Sequence, residues 1–159
     1  MPQVQESSFR IYINAPPEFV FDYLADPRNL GEWSPRGAKV ELESAETIGL
    51  GARFHLSWVA GVGRDTPHPG VVTESQRPWH LVFVLRDEYF EDVLEVFSLK
   101  RLEGGTLLQR RVSTSMNLVH ALLARILIAP LVQPLYENSL PLLKRALESR
   151  ARGQRRRLA

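Results

Sequence analysis

The chain has 159 residues, 44% hydrophobic and 24% charged, which is ordinary for one globular domain and long enough to bury a sizeable core. It has no cysteine, which excludes disulfides, thiolate nucleophiles and cysteine-ligated metals, and fits a cytoplasmic setting. The net charge of +2 hides an asymmetry: Lys144 to Ala159 carries +6 and everything before it −4, so the body is mildly acidic and only the tail is basic.

Met1 to Arg10 is polar and lacks the apolar run of a secretory signal. Phe9, Ile11 and Ile13 then alternate with polar or half-polar neighbours, predicting a half-buried strand. Pro16-Pro17-Glu18 suits a helix start, since a proline in the first turn lacks only an N–H that had no partner there, and Glu18 faces the positive end of the helix dipole. Phe19, Val20, Tyr23 and Leu24 recur at helical spacing. Asp26-Pro27 predicts a second N-cap and a short second helix through about Glu32.

Beyond Trp33-Ser34-Pro35 the period changes to two. Val40 and Leu42, then Phe54, Leu56 and Trp58, alternate with polar residues, and four further strands are predicted over Gly70–Glu74, Trp79–Arg86, Asp92–Leu102 and Thr106–Met116. Gly104-Gly105 marks a tight hairpin between the last two, and the short connections predict an antiparallel meander. After Asn117 the pattern is helical. Leu118, Val119, Leu122, Leu123, Ile126 and Leu127 form one stripe, and Leu131, Leu135, Leu142 and Ala146 a second, flanked by Val132, Tyr136, Leu140, Leu143 and Leu147. Pro130 and Pro134 are expected to kink or interrupt this helix. A membrane span over Leu118 to Leu135 is disfavoured, because Arg125 in mid-span would cost about 2.5–3.5 kcal/mol even on lenient scales. So wide a stripe needs a large apolar cover, which the concave face of the sheet supplies. The expected organisation is one domain over residues 1–149 and a basic, disordered tail over 150–159.

The run from Ile13 to Pro35, INAPPEFVFDYLADPRNLGEWSP, resembles the opening signature of the polyketide cyclase/dehydrase branch of the START-like (SRPBCC) proteins. Gly104-Gly105-Thr106 resembles that branch's last hairpin, and Leu142 to Glu148 its closing helix. The resemblance covers roughly residues 4–149 and implies an α+β helix-grip fold. That fold has a curved antiparallel sheet of about seven strands, two short helices after the first strand, and a long C-terminal helix on the concave face. It also implies a small hydrophobic ligand, such as a lipid, an isoprenoid or a polyketide-like compound, held between sheet and helix. The family includes carriers as well as cyclases, aromatases and dehydratases, so the fold leaves the chemistry open.

The residues narrow it only in part. His55, His68, His80 and His120 show no metal-binding spacing, and neither a metal nor an organic cofactor is expected. His55 and His80 fall on outward parity. Gly61-Val-Gly63 lacks the helix that would complete a phosphate loop and reads as a flexible loop near a pocket mouth. Polar residues on the inward parity carry more information. If Glu103-Gly104 is a two-residue turn, Phe97 lies opposite Arg110, and Arg110 falls diagonal to Glu95 on the concave face. A register slip of one residue would expose both. Expected pocket walls are Trp33, Phe54, Leu56, Trp58, Phe83, Leu85, Phe97 and Leu99, with Leu122, Leu123, Ile126 and Tyr136 from the helix. Glu95, Arg110 and Tyr136 are the candidate proton handlers if the protein is an enzyme. The leading expectation is a binding or carrier protein, followed by a cyclase-type or dehydratase-type enzyme. The third reading is contact of the Arg-rich tail with nucleic acid or anionic membrane.

Overall fold

The alternating segments pair into a single seven-stranded antiparallel sheet, seen in a computed structural model that describes residues 3–44, 48–61, 65–86 and 92–159. The strands are β1 (Gln3–Ile13), β2 (Ala38–Leu42), β3 (Arg53–Trp58), β4 (Pro67–Gln76), β5 (His80–Leu85), β6 (Asp92–Leu102) and β7 (Gly105–Met116). Their order is β1-β7-β6-β5-β4-β3-β2, a meander from β2 to β7 with β1 added alongside β7. This is the helix-grip architecture. β4 begins at Pro67, three residues earlier than the strand expected from Gly70, because the alternation continues back through His68. Of the Gly61-Val-Gly63 loop, Val62 and Gly63 lie outside the described residues.

Glu103-Gly104 makes the last hairpin turn, with Leu102 paired to Gly105 and Phe97 to Arg110. Gly104 takes φ +75°, a left-handed conformation that suits glycine. Gly105 is needed for a different reason: a Cβ there would stand 2.3 Å from the Ile13 carbonyl oxygen of the neighbouring strand.

Helix α1 (Pro17–Ala25) starts on its proline. The Asp26 carboxylate then accepts from the Arg28 N–H at 3.1 Å and caps a 3-10 turn, Pro27–Asn29, which leads into α2 (Leu30–Trp33). Arg28 also donates through its guanidinium and holds the Asp26 carboxyl below the usual carboxylate range.

The C-terminal arm consists of α3 (Leu118–Leu123), a wide π-helical turn (Ala124–Ile128) and α4 (Ala129–Leu158). The expected interruption therefore falls ahead of Pro130. Pro130 is the second residue of α4 and follows the π turn without a break, so its missing N–H leaves a carbonyl of that turn without its helix partner, while Pro134 and Pro141 sit inside α4. The segment expected to be a disordered tail is instead the last two turns of α4. Ala151 is buried there, and Arg150 pairs with Glu32 and lies 4.9 Å from the Tyr23 ring centre. Among the described residues no helix is long and apolar enough to cross a membrane.

The core is one apolar cluster. Leu140, Leu143 and Leu147 of α4 share it with Ile13, Val20, Phe54, Phe97 and Leu108. Glu148 fastens the same stretch of α4 to the turn after β1, accepting from the Asn14 N–H at 2.9 Å and from Lys144 at 2.8 Å. Burial opposes its ionised form, but the Lys144 and Asn14 hydrogen bonds outweigh it and hold the carboxyl below the usual range.

Candidate functional site

The inward face of the sheet carries two polar residues at its centre. Glu95 on β6 and Arg110 on β7 form a two-pronged ion pair, Nε to Oε2 at 3.0 Å and Nη2 to Oε1 at 2.9 Å. Both side chains are about 5% exposed, so the expected register holds without a slip. The third guanidinium nitrogen, Nη1, donates to Ser139 Oγ on α4, and that hydroxyl in turn donates to the Tyr136 carbonyl at 2.7 Å. Aromatic rings complete the setting: the guanidinium carbon lies 5.0 Å from the ring centres of both Trp33 and Tyr136. One arginine thereby ties together the sheet, α2 and α4.

Trp33 reaches this position because α2 is pressed against the start of β2. A Cβ on Gly31 would fall 2.3 Å from the Ala38 carbonyl oxygen. The ring of Trp33 meets Phe97 edge-on at 6.2 Å. Behind α2, the buried Tyr23 hydroxyl donates to Glu32 at 2.9 Å, and Glu32 also takes Arg150 from α4. Burial, then the contact with Glu32, pushes the Tyr23 hydroxyl well above its ordinary titration range.

Above the ion pair lies a cavity of about 120 Å³, open on one side. Its walls are mainly Leu30, Trp33, Leu56, Trp58, Leu85, Val93, Leu135 and Tyr136, with Glu95, Arg110, Ser139 and His68 as polar members. Arg36 and Arg86 stand among its lining residues, and Arg36 lies 4.7 Å from the Trp58 ring centre. Of the expected wall residues, Trp33, Leu56, Trp58, Leu85 and Tyr136 line the cavity. Phe54, Phe83, Phe97 and Leu99 are buried in the core beneath it.

Leu122, Leu123 and Ile126 do not reach the cavity at all, being 63%, 50% and 64% exposed. These three lie in or ahead of the π turn, in the stretch of the C-terminal arm whose apolar side chains are left exposed through Leu131.

Sequence reading also missed His68 and Ser139. His68 follows the inward parity of Gly70 and Val72, a signal concealed by the prolines on either side. It is 6% exposed, and among the described residues its Nε2 is the one buried side-chain nitrogen or oxygen without a hydrogen-bond partner. His55 and His80 are half-buried, and His80 Nε2 lies 2.9 Å from a Glu74 carboxylate oxygen. Among the described residues no three His, Asp or Glu side chains gather as a metal site would need.

Gly70 sits between His68 and Val72 on the inward face of β4. A Cβ there would lie 2.4 Å from the Phe54 ring and 3.0 Å from Leu85.

With this geometry the sequence matches, over residues 1–148, the profile of the family described as polyketide cyclase / dehydrase and lipid transport. The chain belongs to that family. No curated protein matches it. Among solved structures, the polyketide cyclase/dehydrase fold recurs in the di-domain ARO/CYC StfQ of the steffimycin biosynthetic pathway, at 15% identity and TM-score 0.74. That match covers 93% of this chain and 52% of StfQ. A protein from Thermus thermophilus aligns at 18% identity and TM-score 0.73, covering 91% of this chain and 98% of its own. The di-domain ARO/CYC BexL of the BE-7585A pathway aligns at 13% identity and TM-score 0.68, covering 92% and 49%. Identities this low bear on the fold alone.

Proposed function

We propose that this polyketide cyclase/dehydrase family member binds a small, largely apolar molecule in the cavity between the sheet and α4. The observation that carries this reading is an apolar, aromatic-walled cavity floored by a buried guanidinium whose charge Glu95 already balances. A neutralised pair suits a neutral polar group such as a carbonyl, because a carboxylate would meet Glu95 as well as Arg110. Size narrows the ligand further. An engineered 150 Å³ cavity holds benzene, so about 120 Å³ takes roughly one ring, and a longer molecule must project through the open side. An empty cavity of this volume costs about 3 kcal/mol, which a domain of ordinary stability tolerates.

The enzymatic reading, a cyclase or dehydratase, draws support from Glu95, Arg110 and Tyr136 facing one cavity. Both Glu95 oxygens accept from Arg110, an arrangement better suited to orienting a ligand than to moving its protons. Calorimetric titration with acetophenone and with benzoate tests the binding reading. Acetophenone should bind at least about tenfold more tightly. Leu135→Trp, which fills the cavity from a half-buried position, should weaken it by a similar factor at unchanged melting temperature. Equal binding to the filled variant would reject the cavity as the site.

A further inference from the structure

His68 takes no part in the floor just described. It is nine-tenths buried on β4, lines the same cavity, and among the described residues its Nε2 has no hydrogen-bond partner. A buried polar nitrogen left in this state is costly, and native proteins rarely keep one without a use. Neither packing nor the ion pair supplies that use, because Arg110 directs three of its five N–H groups to Glu95 and Ser139 and none to His68.

The register fixes where the two ends lie. Glu95 pairs with Phe83 and Phe83 with Val72, so Glu95 is level with Val72, two strands away. His68 is four residues before Val72 on the same strand and the same face. In a flat sheet the two backbone positions would be roughly 16 Å apart. Inward-pointing side chains from both ends then leave space for a ring between them. A molecule that satisfies both ends needs polar groups on opposite sides of its ring.

We infer that His68 is a second ligand anchor, and that the natural ligand class is a ring compound with a carbonyl at one end and a hydroxyl at the other, the hydroxyl bonded to His68 Nε2. A hydroxyl is selected because it both donates and accepts, and so serves the nitrogen in either tautomer. A purely hydrocarbon end leaves the nitrogen unsatisfied. This inference rests on the reading of the cavity as a binding site and adds to it the chemistry of the ligand's far end.

The test compares 4-hydroxyacetophenone with acetophenone, by calorimetry on the full chain. Wild type should prefer the hydroxylated ring by about tenfold. In His68→Leu that preference should fall to about one. The variant removes an unpaired polar atom from an apolar wall, so its melting temperature should hold or rise. As a direct readout, the imidazole nitrogen NMR signals of His68 should shift with 4-hydroxyacetophenone and not with acetophenone. If acetophenone binds and wild type shows no preference, or if His68→Leu keeps the preference, the anchor is overturned and the cavity reading stands. If neither compound binds, both fall.

Discussion

From Ser139 to Ala151, α4 buries Leu140, Leu143 and Leu147 against the sheet. On the amino-terminal side, Val119, Leu122, Leu123, Ile126, Leu127 and Leu131 are 50–71% exposed. Both stretches are rich in aliphatic residues at helical spacing, and hydrophobicity alone gives no reason for their different environments. What separates them is cover. The π turn at Ala124–Ile128 lies inside the uncovered stretch, and Leu131 beyond it in α4 is exposed as well, so the boundary falls after Leu131 and not at the turn. A hydrophobic stripe thus specifies that a helix has an apolar side, whereas the elements packed against it decide what that side meets.

The largest effect should come from the polar residue that this buried half of α4 helps to enclose. Glu95→Leu leaves Arg110 charged and unpaired between Trp33 and Tyr136, and should cost about 3–5 kcal/mol in urea unfolding. Adding Arg110→Met should restore most of the loss. A double variant no more stable than the single one would mean that Arg110 matters for its shape and not for its charge.

Next comes the contrast itself. Leu143→Ala, at a position with no exposure, should cost about 2–5 kcal/mol. Ile126→Ala, at 64% exposure, should stay within about 0.5 kcal/mol. Equal losses would show that the α3 face is covered in solution and would remove the distinction between the halves.

The smallest effect is the share of the pH dependence that Glu148 adds in the buried half. The Glu148 carboxyl is held below its ordinary value of about 4.3 in the folded state. Its contribution is therefore complete above that value and is lost as pH falls through the lower, folded one. Thermal unfolding between pH 5 and pH 2 should show a steeper decline for the parent than for Glu148→Gln. Parallel curves would dismiss the link from Glu148 to Asn14 and Lys144 as a stabilising contact.

The strands were legible from period-two alternation, but their register rested on Glu103-Gly104 being the turn, with a one-residue slip as the alternative. The observed pairing of Phe97 with Arg110 decides it and brings Glu95 and Arg110 together. The limits of the helix were not legible. Gly153 and the arginine run suggest a frayed end, yet the Ala151 packing and the Arg150 contacts with Glu32 and Tyr23 come from elements far away in sequence. The pocket walls assigned to Leu122, Leu123 and Ile126 are misplaced because helical spacing shows an apolar face without showing how far along the helix the sheet covers it. His68 escaped notice for a local reason: Pro67 and Pro69 look like loop residues, and a strand that begins on a proline hides its own parity.

Gly70 gives that strand a further meaning. The side chains that bound the cavity are visible as walls, but the clearance between them depends on an atom that β4 does not carry. Any larger residue at this position would press on the Phe54 ring and on Leu85, a cavity wall, and force them to give way. The capacity of the cavity is therefore set partly from underneath, and a substitution at this one glycine would retune it by displacing Leu85, a wall already in place.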